Sequence, residues 1–204
     1  MKVNYKVFMK HAEKVAKGVS EARPILRGVE HRDDGTLTIT DSYRLYRAYN
    51  VNAPRGVVID AITGEEIDGN YPQTDRLIPS ADDAAARLAA SDIKALIGVL
   101  KAAENAARAV GINKKNVHLE LRENRLHLAD VEEFGLSFEF SLEGDNERLQ
   151  PIFRLSFLVE AAEMFADMGA KRIALHLYDA NRPILLTSDD QPNVVALILP
   201  VRRA

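Results

Sequence analysis

Thr40-Asp41-Ser42-Tyr43-Arg44-Leu45 is the stretch from which this chain is most profitably read. Two other segments share its make-up: Tyr71-Pro72-Gln73-Thr74-Asp75-Arg76-Leu77-Ile78-Pro79 and Leu197-Ile198-Leu199-Pro200-Val201-Arg202. Each sets aliphatic or proline surface beside an arginine, and none is a catalytic motif. A groove for a short apolar peptide needs that combination: a greasy wall with a few polar anchors. Leu26, Leu45, Leu77, Leu197, Leu199 and Val201 offer the wall. Pro72 and Pro200 add rigid surface, because proline fixes its own backbone angle. Arg44, Arg76 and Arg202 offer donors for peptide carbonyls or carboxylates. Thr40, Ser42, Tyr43 and Ile198 complete the candidate set. Taken singly, each is an ordinary strand, turn or core residue; the weight lies in the three segments together.

Outward from this stretch, one pattern recurs. An extended lead enters an amphipathic helix, and strands follow. In the first unit Phe8, Ala12, Val15, Ala16 and Val19 place one apolar face on a helix at about 8–19. Strands are expected at about 25–31 and 36–40, joined by Asp33-Asp34-Gly35, then at about 43–51 and near Val57-Val58-Ile59; Asp-Gly between alternating segments signals a hairpin. In the second unit Ser91 is the expected N-cap. Ile93, Leu96, Ile97, Leu100, Ala103, Ala107 and Val110 form the helix face, and Gly111 ends it. Strands at 115–122 and 125–130 flank Glu123-Asn124, with another at 134–142. In the third unit Phe153 and Leu155 lead into a helix at 156–168 closed by Gly169, followed by strands near 172–178, 183–188 and 193–201. Three such units indicate an internal repeat. The expected fold class is α+β, with helices on one face of antiparallel sheets. Residues 64–82, rich in Gly, Pro and Asp, form the one long irregular connection, and long loops in compact domains are often functional.

These motifs, in this order, resemble the bacterial DNA polymerase III β sliding clamp family. Pro24-Ile25-Leu26-Arg27-Gly28, Gly35-Thr36-Leu37 and Thr40 to Leu45 follow the first half of the family's central domain, and Asp68-Gly69-Asn70-Tyr71-Pro72 through Pro79 is similar to the loop leaving it. The tail 197–202 resembles the family's C-terminal aliphatic-Pro-aliphatic-Arg ending. The resemblance implies a DNA-clamp fold of strand-helix-three-strand units. Residues 1–82 are then half a clamp domain with its exit loop, and 83–204 a full one. The family's N-terminal domain and the second unit of the central domain have no counterpart here. Ser42-Tyr43 stands where the family has Gly-His, and Arg202-Arg203-Ala204 replaces its usual ending.

The resemblance further implies a processivity factor, not an enzyme, that encircles duplex DNA and binds polymerase, clamp loader or repair proteins through short peptides. The family's ring contains twelve units, so three per chain imply a head-to-tail homotetramer. A clamp-like adaptor or decoy, binding the same peptides without encircling DNA, is the alternative. In the family, helices line the hole and meet phosphates without reading bases. Lys10, Lys14 and Lys17 share one stripe of the first helix, and Lys94, Lys101 and Arg108 share one face of the second. The third helix carries Glu160, Glu163 and Asp167 instead.

Composition agrees with a folded binding protein. The 204 residues are 47% apolar and 28% charged, with a net charge of −3. That charge argues against indiscriminate nucleic-acid binding by the whole surface. The chain contains no cysteine, so thiolate sites are excluded and a reducing compartment fits; the cytoplasm is the expected location, with no membrane partner. No cofactor or metal is expected. The only candidate cluster, His118, His127 and Asp130, would support an enzyme only if metal were bound there.

Overall fold

The computed structural model describes residues 2–129, 136–146 and 148–201. Three helices carry most of the core. Helix α1 spans Tyr5–Ala16 and buries Phe8, His11, Ala12, Val15 and Ala16 at helical spacing. It starts earlier than periodicity predicts because the Asn4 side chain accepts the Lys6 and Val7 amide protons, an N-cap that satisfies otherwise orphaned donors. Helix α2 spans Ile93–Ala109, and its cap is Asp92 rather than Ser91: the Asp92 carboxylate accepts from the Lys94 and Ala95 amides at 2.9 and 3.0 Å. Helix α3 spans Leu155–Asp167.

The strands are β1 (Gly28–His31), β2 (Leu37–Thr40), β3 (Arg44–Ala48), β4 (Val57–Asp60), β5 (Ala86–Ala90), β6 (His118–Arg122) and β7 (Arg125–Ala129). They continue as β8 (Glu139–Ser141), β9 (Glu143–Gly144), β10 (Ile152–Arg154), β11 (Ile173–Leu177), β12 (Ile184–Thr187) and β13 (Val194–Ile198). The strand expected from residue 25 begins as a 3₁₀ turn over Pro24–Arg27, with Pro24 in its first turn where a missing N–H is harmless. Glu123 and Asn124 both take positive φ between the paired residues Arg122 and Arg125. That is the twist a two-residue hairpin loop requires. Among the described residues the third unit shows a lead strand, helix and three strands, and the second a lead strand, helix and β6 to β8 with the short added strand β9. The first has its helix, β1 to β3 and the further strand β4, while residues 2–4 lie outside any strand.

Two antiparallel sheets result. One has nine strands in the order β4-β1-β2-β3-β13-β12-β11-β5-β9, and the other four in the order β10-β6-β7-β8. Units two and three exchange their lead strands: β5 pairs with β11, and β10 pairs with β6. The main core lies between helices and sheets, with Phe8, Leu37, Ile39, Tyr46, Leu88, Leu96, Phe153 and Phe165 all almost fully buried. Each such side chain contributes about 1.5–3 kcal/mol of burial. A second, smaller cluster of Leu45, Tyr178, Leu185 and Leu197 lies apart from it, with Ile78, Ala81 and Ala84 packed against it.

Candidate functional site

Strand alternation decides which residues reach which face. Leu45 pairs with Leu197, and Arg44 pairs with Ile198. Successive side chains point to opposite faces. Leu45, Arg47 and Leu197 therefore face the small cluster, while Arg44, Tyr46 and Ile198 face the helices. Ile198 is fully buried in the helix-side core, so its place among the groove residues is corrected: a period of two cannot put Leu197, Ile198 and Leu199 on one wall.

The 71–79 segment is docked onto the groove side by polar contacts. The Tyr71 hydroxyl accepts the Thr40 amide proton at 3.1 Å, and burial pushes its own ionisation upward. Buried Arg47 donates to Thr38 at 3.0 Å, to Asp75 at 2.7 Å and to Thr74 at 2.5 Å. Arg32 adds a second contact to Asp75 at 2.7 Å. These hold the Asp75 carboxyl below the usual range, chiefly through the hydrogen bond from Arg32. Further along, the Tyr178 hydroxyl donates to the Ser80 carbonyl at 2.8 Å. The loop is thereby pinned at several points, yet Leu77 remains 53% exposed.

The turn at 41–43 is equally constrained. Asp41 accepts the Tyr43 and Arg44 amides at 3.0 and 2.9 Å, and Thr40 Oγ accepts the Ser42 amide at 3.1 Å. Ser42 holds φ 74, a left-handed conformation that glycine adopts without strain. Arg23 donates to its hydroxyl at 3.2 Å. Tyr43 projects from this turn at 59% exposure, and its carbonyl accepts the Leu199 amide at 2.9 Å.

Together these elements enclose an apolar groove of about 620 Å³. Of the residues named from sequence, Leu26, Thr40, Ser42, Arg44, Leu45, Pro72, Leu77, Leu197 and Leu199 line it. Ala22, Arg23, Pro24, Ile25, Gln73, Thr74 and Pro183 also line it and were not singled out. Pro24, Ile25, Gln73 and Thr74 stand inside the quoted segments, whereas Pro183 enters through the β11–β12 turn and has no local signal. Tyr43, Arg76, Pro200 and Val201 are not part of this lining. Tyr43, Arg76 and Val201 are exposed and Pro200 half-buried. Arg202 lies outside the described residues.

Arg44 differs from its expected role as a peptide donor. Its guanidinium donates to Asp41 at 3.1 Å, to Glu160, and to the Lys14 carbonyl at 3.2 Å. It also stacks 4.6 Å from the Phe157 ring. With its donors turned into the protein, it holds α1, the turn and α3 together. On the far side of that turn lies a second concavity of about 370 Å³. Its lining includes Lys114, Lys115, Arg154 and Phe157, and the Arg154 guanidinium also lies over the Phe157 ring at 4.6 Å.

The helix layer is charged but largely self-paired. Helix α3 packs against both α1 and α2. Lys10 meets Asp167 at 2.7 Å, Lys14 and Lys101 meet the two oxygens of Glu163 at 2.6 and 2.5 Å, and Lys17 meets Glu13 at 2.6 Å. Burial raises the Glu163 ionisation, but hydrogen bonds from Lys101 and Lys14 outweigh it and hold the carboxyl below its usual range. The hydrogen bond from Lys10 does the same for Asp167. Lys94 and Arg108 are exposed, and no ion pair holds them among the described residues. His118 and His127 lie on neighbouring strands, but no metal-binding group of three His, Asp or Glu side chains forms among the described residues. Asp130 lies outside them. No helix among them is long and apolar enough to cross a membrane.

Comparison with solved structures decides what this architecture is. The chain superposes on the DNA polymerase III beta chain of Streptococcus pneumoniae with a TM-score of 0.74 at 22% identity, covering 96% of this chain and 63% of that one. The fold is that of a bacterial sliding clamp. The sliding clamp of Bacillus subtilis matches at TM-score 0.73 and 23% identity, over 99% of this chain and 64% of that one. The beta subunit of Streptococcus pyogenes matches at 0.70 and 20%, over 100% and 68%. The chain thus spans about two thirds of the clamps it superposes on. No family model and no curated protein matches the sequence.

Proposed function

We propose that this chain is a clamp-type processivity factor: a non-enzymatic protein that seats partner peptides in the apolar groove and, with other copies, surrounds duplex DNA. The observation that carries the reading is the groove itself. Three segments far apart in sequence converge on it within a sliding-clamp fold, and Leu77 and Leu199 stand partly exposed along it. An apolar side chain seated there gains about 1.5–3 kcal/mol. The proposed partners are polymerase, loader or repair proteins that carry such a peptide. In this reading residues 1–82 stand for half a clamp domain and 83–204 for a full one. Twelve units per ring make the assembly a tetramer, about 91 kDa for four chains of 22.7 kDa.

The test is binding of a fluorescent peptide bearing leucine and phenylalanine, followed by anisotropy. Saturable binding that weakens about tenfold or more in L77S and L199S supports the groove; equal binding to all three proteins counts against it. Light scattering then addresses the ring: a mass near four chains supports encirclement. The adaptor reading is favoured by a separate observation, the pairing of Lys10, Lys14 and Lys101 with acids of α3. Peptide binding by a chain that stays monomeric at every concentration decides for it.

A further inference from the structure

We propose that α3 is an internal screen against polyanions: Glu163 and Asp167 occupy the ammonium groups of Lys10, Lys14 and Lys101 that would otherwise meet phosphates. The inference rests on the reading of the helix layer as the surface that fronts duplex DNA. Three observations carry it. First, the acids sit between the two basic helices, since α3 packs against both α1 and α2. Second, one carboxylate serves both neighbours. Glu163 receives Lys14 on one oxygen at 2.6 Å and Lys101 on the other at 2.5 Å. Third, the pairs stand at the water-facing side of the layer, with Lys10 62% and Lys101 50% exposed. They are where an approaching duplex would meet them.

Electrostatics gives the consequence. A lysine contributes to DNA affinity by neutralising a phosphate and releasing a counterion, and log K then falls with log salt by about 0.9 per contact. A lysine already neutralised by a carboxylate releases little, and the carboxylate repels the phosphate. The Lys10–Asp167 pair is exposed, and such pairs contribute little to folding; the Glu163 pairs are partly buried and add to stability as well as to the screen. The screen lets the face tolerate a duplex without gripping it, leaving Lys94 and Arg108 as the cations on α2 available for contact.

The probe is a short linear duplex, which binds without any need for a closed ring. Affinity is measured from 50 to 200 mM salt for the full chain and for E163Q/D167N. Unmasking three lysines steepens the salt slope by up to about 2.7, so over this range the variant loses about 40-fold more affinity than the parent. It also binds at least about tenfold tighter at the low-salt end. Adding K10Q/K14Q/K101Q to the variant returns both values to the parent's. Because Asp167 also holds buried His11 at 2.9 Å, E163Q alone serves as the second variant, with a slope change of up to about 1.8. Unchanged affinity and slope in both variants overturns the screen. A parent that ignores DNA while the variants bind it supports the screen and counts against encirclement. A parent that already shows the full slope, unmoved by substitution, overturns the screen and leaves encirclement standing.

Discussion

Arg44 and Arg47 stand on the same strand and serve opposite faces of the nine-stranded sheet. Arg44 turns toward the helices, where Asp41, Glu160 and the Lys14 carbonyl surround it. Arg47 turns toward the groove, where it holds Thr38, Thr74 and Asp75. Both are buried, but their partners are not equally so. The Asp41 side chain is 3% exposed, against 60% for Asp75. The helix-side arginine is part of the core's architecture. The groove-side arginine is a latch on a loop that remains in contact with water.

The sharpest way to break this comparison is Arg44→Ala. It strands the buried Asp41 carboxylate, and such a loss costs about 3–5 kcal/mol, read as a lowered urea midpoint. A loss below about 1 kcal/mol would refute the architectural role. Arg47→Ala should cost less, about 1–3 kcal/mol, because Asp75 keeps Arg32 and water. Its signature is local: trypsin should cleave after Arg76 far faster than in the parent, with helix signals intact. If cleavage stays slow, the loop has another anchor.

Acid should weaken both faces. Burial lowers the ionisation of His11 and His31 on the helix side and of His176 on the groove side, from an ordinary value of 6.5. The unfolded chain then binds protons that the folded chain refuses. Stability is full above about pH 6.5 and declines as pH falls below it, until the lowered folded values are reached. A melting temperature that holds flat from pH 7 to 5 contradicts this burial. His176→Gln should remove only the groove-side share of the decline.

Smaller still is Tyr71→Phe, which leaves the Thr40 amide without its acceptor at a cost of about 1 kcal/mol. Smallest is Leu77→Ser, within about 0.5 kcal/mol of the parent, because the side chain already meets water. If Leu77→Ser destabilises more than Tyr71→Phe, Leu77 is a packing residue rather than a binding one.

Local signals in the sequence were the readable ones. The helix faces follow from spacing, and the Asp34-Gly35 turn from its residues: Gly35 takes φ 82, and Asp34 accepts the Thr36 amide at 2.8 Å. The three groove segments could be grouped because each carries its own composition. What stayed hidden depends on partners distant in sequence. Arg44 looked like a peptide donor because Glu160 is 116 residues away. The lysine stripes looked free because nothing local reveals that α3 packs beside both of them. The exchange of β5 and β10 between units leaves no local mark, since a strand's own residues do not name its neighbour. Ile198 was recoverable: alternation along 197–199 already assigned it to the opposite face.

The position of β13 has a consequence for synthesis. It is the strand that joins β3 to β12, so the nine-stranded sheet stays in two pieces until residue 198 has left the ribosome. Until then β3 and β12 present two further unpaired edges besides β4 and β9, each able to recruit a neighbouring polypeptide. Contacts between segments so far apart also form slowly. Completion of the sheet is therefore expected to wait for that strand, and chaperone dependence during expression should be traceable to the interval before it arrives.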